Sequence, residues 1–185
     1  MGTNFASDKF GVIPDIITMA KAITNGYFPF GAVMVSDSVA EAFENDASGK
    51  GAIGSGYTYS GHPVGAAAAI ACLKETERLN VKDNAAARGK QLFEGLRKLF
   101  MKHELIGDVR GGHGLMCALE LVSDRATKAP VDKATIGKVH KTAYDNGAMI
   151  RVSGNNIILS PPLVLSEAHV ETILTALDKG LAAAG

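Results

Sequence analysis

Residues 14–33, PDIITMAKAITNGYFPFGAV, decide how the rest of this chain is read. Pro14 punctuates the chain, and 15–20 (DIITMA) reads as a short strand. A second strand reads at 31–36 (GAVMVS). Between them Thr24-Asn25-Gly26-Tyr27-Phe28-Pro29 is rich in turn formers. Lys21 follows the first strand directly. The carboxyl end of a strand in an α/β protein is where such folds place ligands. Ile16, Ile17, Met19, Ala20 and Ile23 surround Lys21 in sequence with apolar side chains. An apolar surround frees a nucleophilic amine of the kind Schiff-base chemistry uses. The plainer alternative, a surface lysine at a strand end, stays open on spacing alone.

Downstream, Asp37 is placed to cap a short helix over 38–43. A long loop follows over 44–62. Pro63 suits the first turn of a helix running to about residue 79, with an Ala-rich body at Ala66–Ala69. Ahead of it stand Tyr57-Thr58-Tyr59-Ser60-Gly61-His62. Hydroxyls and free N–H groups before a helix N-terminus suit an anion such as a phosphate. A polar loop carrying only a helix cap fits the same residues.

Further on, 84–102 sets Leu92, Leu96 and Leu99 on one face with Phe93 and Phe100 beside it, an amphipathic helix. A strand is expected at 115–122 and a helix at 133–146, with Gly147 as its stop. Strands at 148–152 and 157–159 flank the turn Ser153-Gly154-Asn155-Asn156. Ser166 caps a last helix carrying Val170, Ile173, Leu174, Leu177 and Leu181. Arg151 stands in an apolar strand, where a guanidinium needs a carboxylate from the protein or from a substrate. A structural ion pair or an edge-strand position satisfies it equally well. The change of texture over 88–109 marks a candidate boundary between two α/β units.

Composition narrows the function classes. The chain has 185 residues with 19 basic and 19 acidic side chains, hence no formal net charge. That balance argues against a nucleic-acid binder or a polybasic membrane module. Residues 51–73 lack charge and are long enough to cross a bilayer. Their first half is irregular Gly, Ser, Thr, His and Pro, which lipid does not tolerate, so no membrane association is expected. Cys72 and Cys117 lie far apart in apolar runs, as free thiols of a reducing cytoplasm do. The five histidines show no metal-ligand spacing, so no metal site is expected. No serine sits in a nucleophile elbow. Gly49-Lys50-Gly51-Ala52-Ile53-Gly54 matches a dinucleotide fingerprint literally. It lacks the preceding strand and following helix, which makes it a loop.

In order along the chain, these segments resemble the class III, or omega, aminotransferases, which use pyridoxal phosphate. Pro14–Lys21 resembles the stretch carrying the Schiff-base lysine, and Asn25–Val33 resembles the stretch just after it. Tyr57-Thr58-Tyr59-Ser60-Gly61-His62-Pro63 resembles the loop that reaches a phosphate in the neighbouring subunit. Val109–Gly114 through Glu120-Leu121-Val122 resembles the opening of the small domain. Arg151, followed by Ile157-Ile158-Leu159-Ser160-Pro161-Pro162-Leu163, resembles the carboxylate-binding arginine and its trailing signature. The resemblance implies an α/β chain of the fold-type-I, aspartate-aminotransferase-like class. It comprises the C-terminal part of a large, mostly parallel-sheet domain (1–85) and a small C-terminal α/β domain (86–185). It implies Lys21 as the catalytic, cofactor-bearing lysine, Thr58 as a phosphate ligand across a homodimer interface, Tyr57 as a substrate-pocket wall and Arg151 as the carboxylate fork. The implied reaction moves an amino group from an amine or omega-amino acid to a 2-oxo acid such as pyruvate.

The same resemblance implies a family portion upstream of Met1. There such enzymes carry an acidic partner for the pyridine nitrogen, a glycine-rich phosphate loop and an aromatic ring over the cofactor. The chain is therefore expected to be a fragment, with Met1 an internal methionine and little or no turnover alone. Two alternatives accompany this reading. One is another class III enzyme, of acetylornithine-transaminase or semialdehyde-aminomutase type. The other is a non-catalytic truncated product that acts as an interaction module, with an exposed, adhesive strand near 15–20.

Overall fold

The computed structural model describes Met1–Gly185, which divide into two compact units: Phe5–Asn80, and Val81–Gly185 together with Met1–Asn4. In the first, α1 (Ala6–Phe10) leads to β1 (Ile16–Met19), a 3-10 turn (Lys21–Ile23), β2 (Ala32–Val35), α2 (Asp37–Glu44) and α3 (Pro63–Arg78). β1 and β2 pair antiparallel from Ile16↔Val35 to Met19↔Ala32. Asn25 and Gly26 turn the connecting loop with φ of 48° and 80°, left-handed values that this residue pair accepts readily. The cap of α2 is Ser36, one residue earlier than expected. Asp37 instead lies in the first turn, where its charge complements the helix dipole. The Gly49–Gly54 stretch is loop, as its flanks required.

One face of the strand pair is exposed, with Ile16 57% accessible and Val33 65%, and the other, carrying Ile17, Met19 and Ala32, is half-buried apart from Met34 at 55%. An exposed strand near 15–20 is what the non-catalytic alternative implies. α3 is seated differently, through Gly65. A Cβ there would lie 2.8 Å from Phe30 Cδ2 and 2.9 Å from Phe28 Cε1, so only glycine lets both rings approach the helix.

In the second unit, α4 (Val81–Lys102), β3 (Ile106–Arg110), β4 (Cys117–Asp124), β5 (Ala129–Pro130), α5 (Lys133–Asp145), β6 (Arg151–Ser153), β7 (Asn156–Leu159) and α6 (Glu167–Ala184) follow in order. The sheet runs β3-β4-β7-β6 with β5 on β4, every pair antiparallel. Neither sheet of this chain is parallel, so the mostly parallel sheet implied for the large domain is not among these residues. The inner row Leu119, Leu121 and Ile157 meets Leu92 and Leu96 of α4, Val139 of α5, and Val170, Leu177 and Leu181 of α6, all essentially inaccessible. Ser166 caps α6 as expected, its Oγ accepting from His169 N–H at 3.2 Å while His169 Nδ1 accepts from Ser166 N–H.

Two features lay outside the sequence reading. β3 lacks a clean alternation and is bulged at Gly107, where a Cβ would lie 2.5 Å from Val122 Cγ1. Arg125 closes the C-terminus of α4. Its Nη2 donates to the carbonyls of Phe100 and, at 2.7 Å, His103, and its Nε donates to Ile106 O at 2.8 Å. The guanidinium also lies 4.2 Å from the Phe100 ring centroid. No helix is long and apolar enough to cross a membrane.

Candidate active site

Lys21 stands where β1 ends and the 3-10 turn begins, with φ of 53°. A left-handed, non-glycine residue costs on the order of 1–3 kcal/mol and persists only where its neighbours over-determine it. Those neighbours are visible. The Lys21 carbonyl accepts from Thr24 N–H at 3.2 Å, and Thr24 O accepts from Tyr27 N–H at 3.0 Å. The Lys21 side chain itself is exposed and has no hydrogen bond or ion pair. The apolar enclosure expected from the flanking isoleucines is not made by these residues, because Ile16 and Ile17 alternate across β1, Ile16 onto an exposed face and Ile17 onto a half-buried one.

Tyr57 and Thr58 lie on the turn before α3, both exposed and with free hydroxyls. Ser60 N–H donates to Tyr57 O at 3.0 Å and His62 N–H to Tyr59 O at 3.2 Å, so the loop is a defined turn. His62 caps α3, its Nδ1 accepting from Gly65 N–H at 3.4 Å. The cap and the presentation of hydroxyls therefore coexist: one helix donor is taken by His62, while Thr58 and its neighbours face outward. His62 also meets Phe28, ring centroids 5.2 Å apart. This contact brings the loop that follows Lys21 to the base of the loop that carries Thr58.

Arg151 belongs to the other unit. It opens the edge strand β6 opposite Ile158 and is exposed. Alternation places it on the outer sheet face, in one cross-strand row with Ile158, Ala118 and Arg110. In that row Arg110 carries the ion pairs, with Glu120 at 2.9 Å and Asp108 at 3.0 Å, and a hydrogen bond to Asn156. The Glu120 hydrogen bond above all raises the Arg110 pKa further above its ordinary value. Arg151 has no carboxylate partner in the chain, which removes the ion-pair reading and leaves its guanidinium available. It borders a cleft of about 490 Å³ with Met149, Ser160, Pro161, Pro162 and Ile173.

Other candidate chemistry is absent. Cys117 is buried against Gly111, and burial pushes its thiol pKa up, so it is no nucleophile at neutral pH. No group of three His, Cys, Asp or Glu side chains is placed to hold a metal ion.

A sequence profile described as Aminotransferase class-III matches residues 1–181. An uncharacterized aminotransferase of Sinorhizobium fredii is 39% identical over 97% of this chain and 39% of its own length. The taurine–pyruvate aminotransferase of Bilophila wadsworthia is 37% identical over 96% of this chain and 41% of its own. A crystal structure of an amine transaminase from an uncultivated Pseudomonas species, in its pyridoxal-phosphate-bound form, superposes with a TM-score of 0.92 at 42% identity. It is matched over 100% of this chain and 42% of that one. The chain thus spans about two-fifths of the length of the relatives it matches.

Proposed function

This chain belongs to the class III aminotransferases, and from that premise we propose that it supplies the lysine-bearing and carboxylate-recognising parts of a pyridoxal-phosphate transaminase. Its donor is an amine or omega-amino acid and its acceptor a 2-oxo acid such as pyruvate. The observation that carries this is Lys21: an unpaired ammonium at a strand end, on a backbone held in a left-handed conformation by its neighbours.

The residues present fit two of the cofactor's three recognition points. Lys21 Nζ suits its carbonyl carbon, and the outward hydroxyl of Thr58, on the loop before α3, suits its phosphate. No residue of this chain is assigned to the third, the pyridine nitrogen. When bound, the cofactor supplies the electron sink for the substrate's Cα–H bond. Lys21 Nζ would take the proton from the substrate carbon and return it, as base and acid in turn. Arg151 forks onto the substrate carboxylate, and Tyr57 walls the pocket. Thr58 serves the partner subunit's site, so the working form is a homodimer. Residues 1–85 act as the end of the large domain and 86–185 as the small one. The free thiols Cys72 and Cys117 support a reducing, cytoplasmic location.

Reduction with borohydride in the presence of pyridoxal phosphate, followed by peptide mapping, tests the assignment. Label concentrated on Lys21 is expected, and label spread evenly over the lysines refutes it. Turnover by the 185-residue chain alone should be negligible; a donor panel with pyruvate measures it and, in catalytically complete protein, separates the acetylornithine and aminomutase alternatives. The exposure of Ile16, Val33 and Met34 supports a second reading, a non-catalytic chain acting through association. Sedimentation with and without cofactor distinguishes it: association indifferent to cofactor favours that reading.

A further inference from the structure

Among residues 5–80, one polar side chain is fully buried, that of Thr24, 2% accessible. It makes three hydrogen bonds in three directions. Its N–H donates to Lys21 O at 3.2 Å and closes the 3-10 turn. Its carbonyl accepts from Tyr27 N–H at 3.0 Å, across the left-handed Asn25-Gly26 pair. Its Oγ1 donates to Phe28 O at 2.7 Å. Phe28 in turn lies against His62 and over Gly65, at the first turn of α3. The 3-10 turn itself also lies against α3.

We propose that Thr24 is a positioning residue that, through Phe28, sets the Lys21 turn against the N-terminus of α3, so that the lysine and the loop bearing Thr58 are held in one fixed relation. The physical reason is the backbone of Lys21. A left-handed lysine stays so only while its surroundings hold it. The Thr24 amide holds the carbonyl of Lys21 directly. The Thr24 hydroxyl is the sole side-chain donor tying that turn to Phe28, whose ring rests on the helix. A valine keeps the volume but leaves Phe28 O without its donor in a buried place. The proposal rests on Lys21 being the residue that takes the cofactor carbonyl, and its test separates the two claims.

The test uses the 185-residue chain with Thr24→Val, Thr24→Ser, Phe28→Leu and Gly65→Ala, each checked for retained helicity. The first readout needs no cofactor: site-resolved amide exchange and amide resonances. Thr24→Val should speed exchange at Thr24 and Tyr27 by roughly tenfold, the factor expected from one lost buried hydrogen bond, and should shift the His62 and Gly65 resonances. Thr24→Ser should behave as wild type. The second readout is borohydride-trapped pyridoxal phosphate at Lys21, relative to Lys9 and Lys50. Thr24→Val and Phe28→Leu should lower that ratio about tenfold, and Thr24→Ser should restore it. Gly65→Ala, which pushes on both rings from the helix side, should lower it with Thr24 untouched.

A side chain that merely filled space would move stability and leave the Lys21 selectivity alone. The proposal is overturned if Thr24→Val leaves the His62 and Gly65 resonances and the Lys21 ratio at wild-type values. If the wild-type chain shows no preference for Lys21, the cofactor assignment fails. The exchange readout then decides the positioning role by itself.

Discussion

Replacing Arg125 with methionine should cost the Val81–Gly185 unit about 2–3 kcal/mol. The magnitude comes from the groups that the guanidinium holds. Three carbonyls, that of Phe100 in the last turn of α4, that of His103 just past it and that of Ile106 at the start of β3, accept from its Nη2 and Nε. A hydrogen bond from a charged donor contributes about 1.5–3 kcal/mol, and a cation at a helix C-terminus a further 0.3–1. The simple sum overshoots, because the bonds share one side chain and that side chain remains 27% exposed. Methionine preserves the packing of the stem on Phe100. The loss is then mainly the unpaired carbonyls and the contact of the guanidinium with the ring at 4.2 Å. Urea unfolding followed by far-UV circular dichroism reads the effect. With a slope of about 1–3 kcal/mol per molar, the midpoint should fall by about 1–2 M. Arg125→Lys should recover less than half, since an ammonium cannot reach three carbonyls as a planar fork does. A midpoint shift below about 0.3 M for methionine, or full recovery by lysine, would refute the reasoning.

Gly89→Ala should destabilise the same unit by about 1–3 kcal/mol in the same assay, because a Cβ on α4 at that point collides with the carbonyl group of Gly114. Asp178 is held below the usual carboxylate range, first by its hydrogen bond from Lys102 and then by that with His103. Its stabilising effect is complete above about pH 4 and is lost as pH falls through the depressed value, so Asp178→Asn should lower the urea midpoint at pH 7 and converge on wild type as the solution is made more acidic. For Cys117 the sign reverses: burial holds the native thiol protonated, so stability should decline above about pH 8.5, where the unfolded thiol ionises, and Cys117→Ala should flatten that limb. In catalytically complete protein, Arg151→Leu should raise KM for carboxylate-bearing donors roughly tenfold or more and leave simple amines unchanged; equal effects on both classes would count against the fork.

The helices were legible because their signals are local. Leu92, Leu96 and Leu99 repeat at the helical period, and Ser166 stands before α6 with its cap residue three positions on. The two candidate lysine and arginine positions came from ordered segments rather than from any one pattern, since a lone lysine after a strand means little by spacing. What could not be read was non-local. β3 carries a glycine that serves a bulge packed on Val122, and nothing near it in sequence signals this. Arg125 caps a helix whose last carbonyls lie more than twenty residues earlier, and it looks in sequence like any loop arginine. Thr24 reads as one more turn former; its hydroxyl becomes significant only when Phe28 is seen to rest on Gly65. Conversely, the apolar residues flanking Lys21 promised an enclosure, yet alternation along β1 sends them to one exposed and one half-buried face.

That last difference bears on what the chain can do alone. Between residues 5 and 80 only Thr24, Gly65 and Ala69 are buried, and none carries a large apolar side chain. A two-stranded pair with one exposed face and one only half-buried is marginal at best in water. The Val81–Gly185 unit is the opposite case, with a continuous core from α4, the sheet, α5 and α6. Stability should therefore be distributed unequally. The Val81–Gly185 unit should unfold cooperatively, while the turn that carries Lys21 opens at far lower free energy. Limited proteolysis tests this directly: cleavage should begin between residues 45 and 62 and leave a resistant product starting near Val81. Equal resistance along the whole chain would mean that the Phe5–Asn80 unit finds stabilisation these contacts do not supply. If the inequality holds, the negligible turnover proposed for this chain alone has a physical cause in its stability. The hydrogen bond that holds the Lys21 carbonyl lies in the less stable unit, and a surface packed on β1 and β2 would strengthen it.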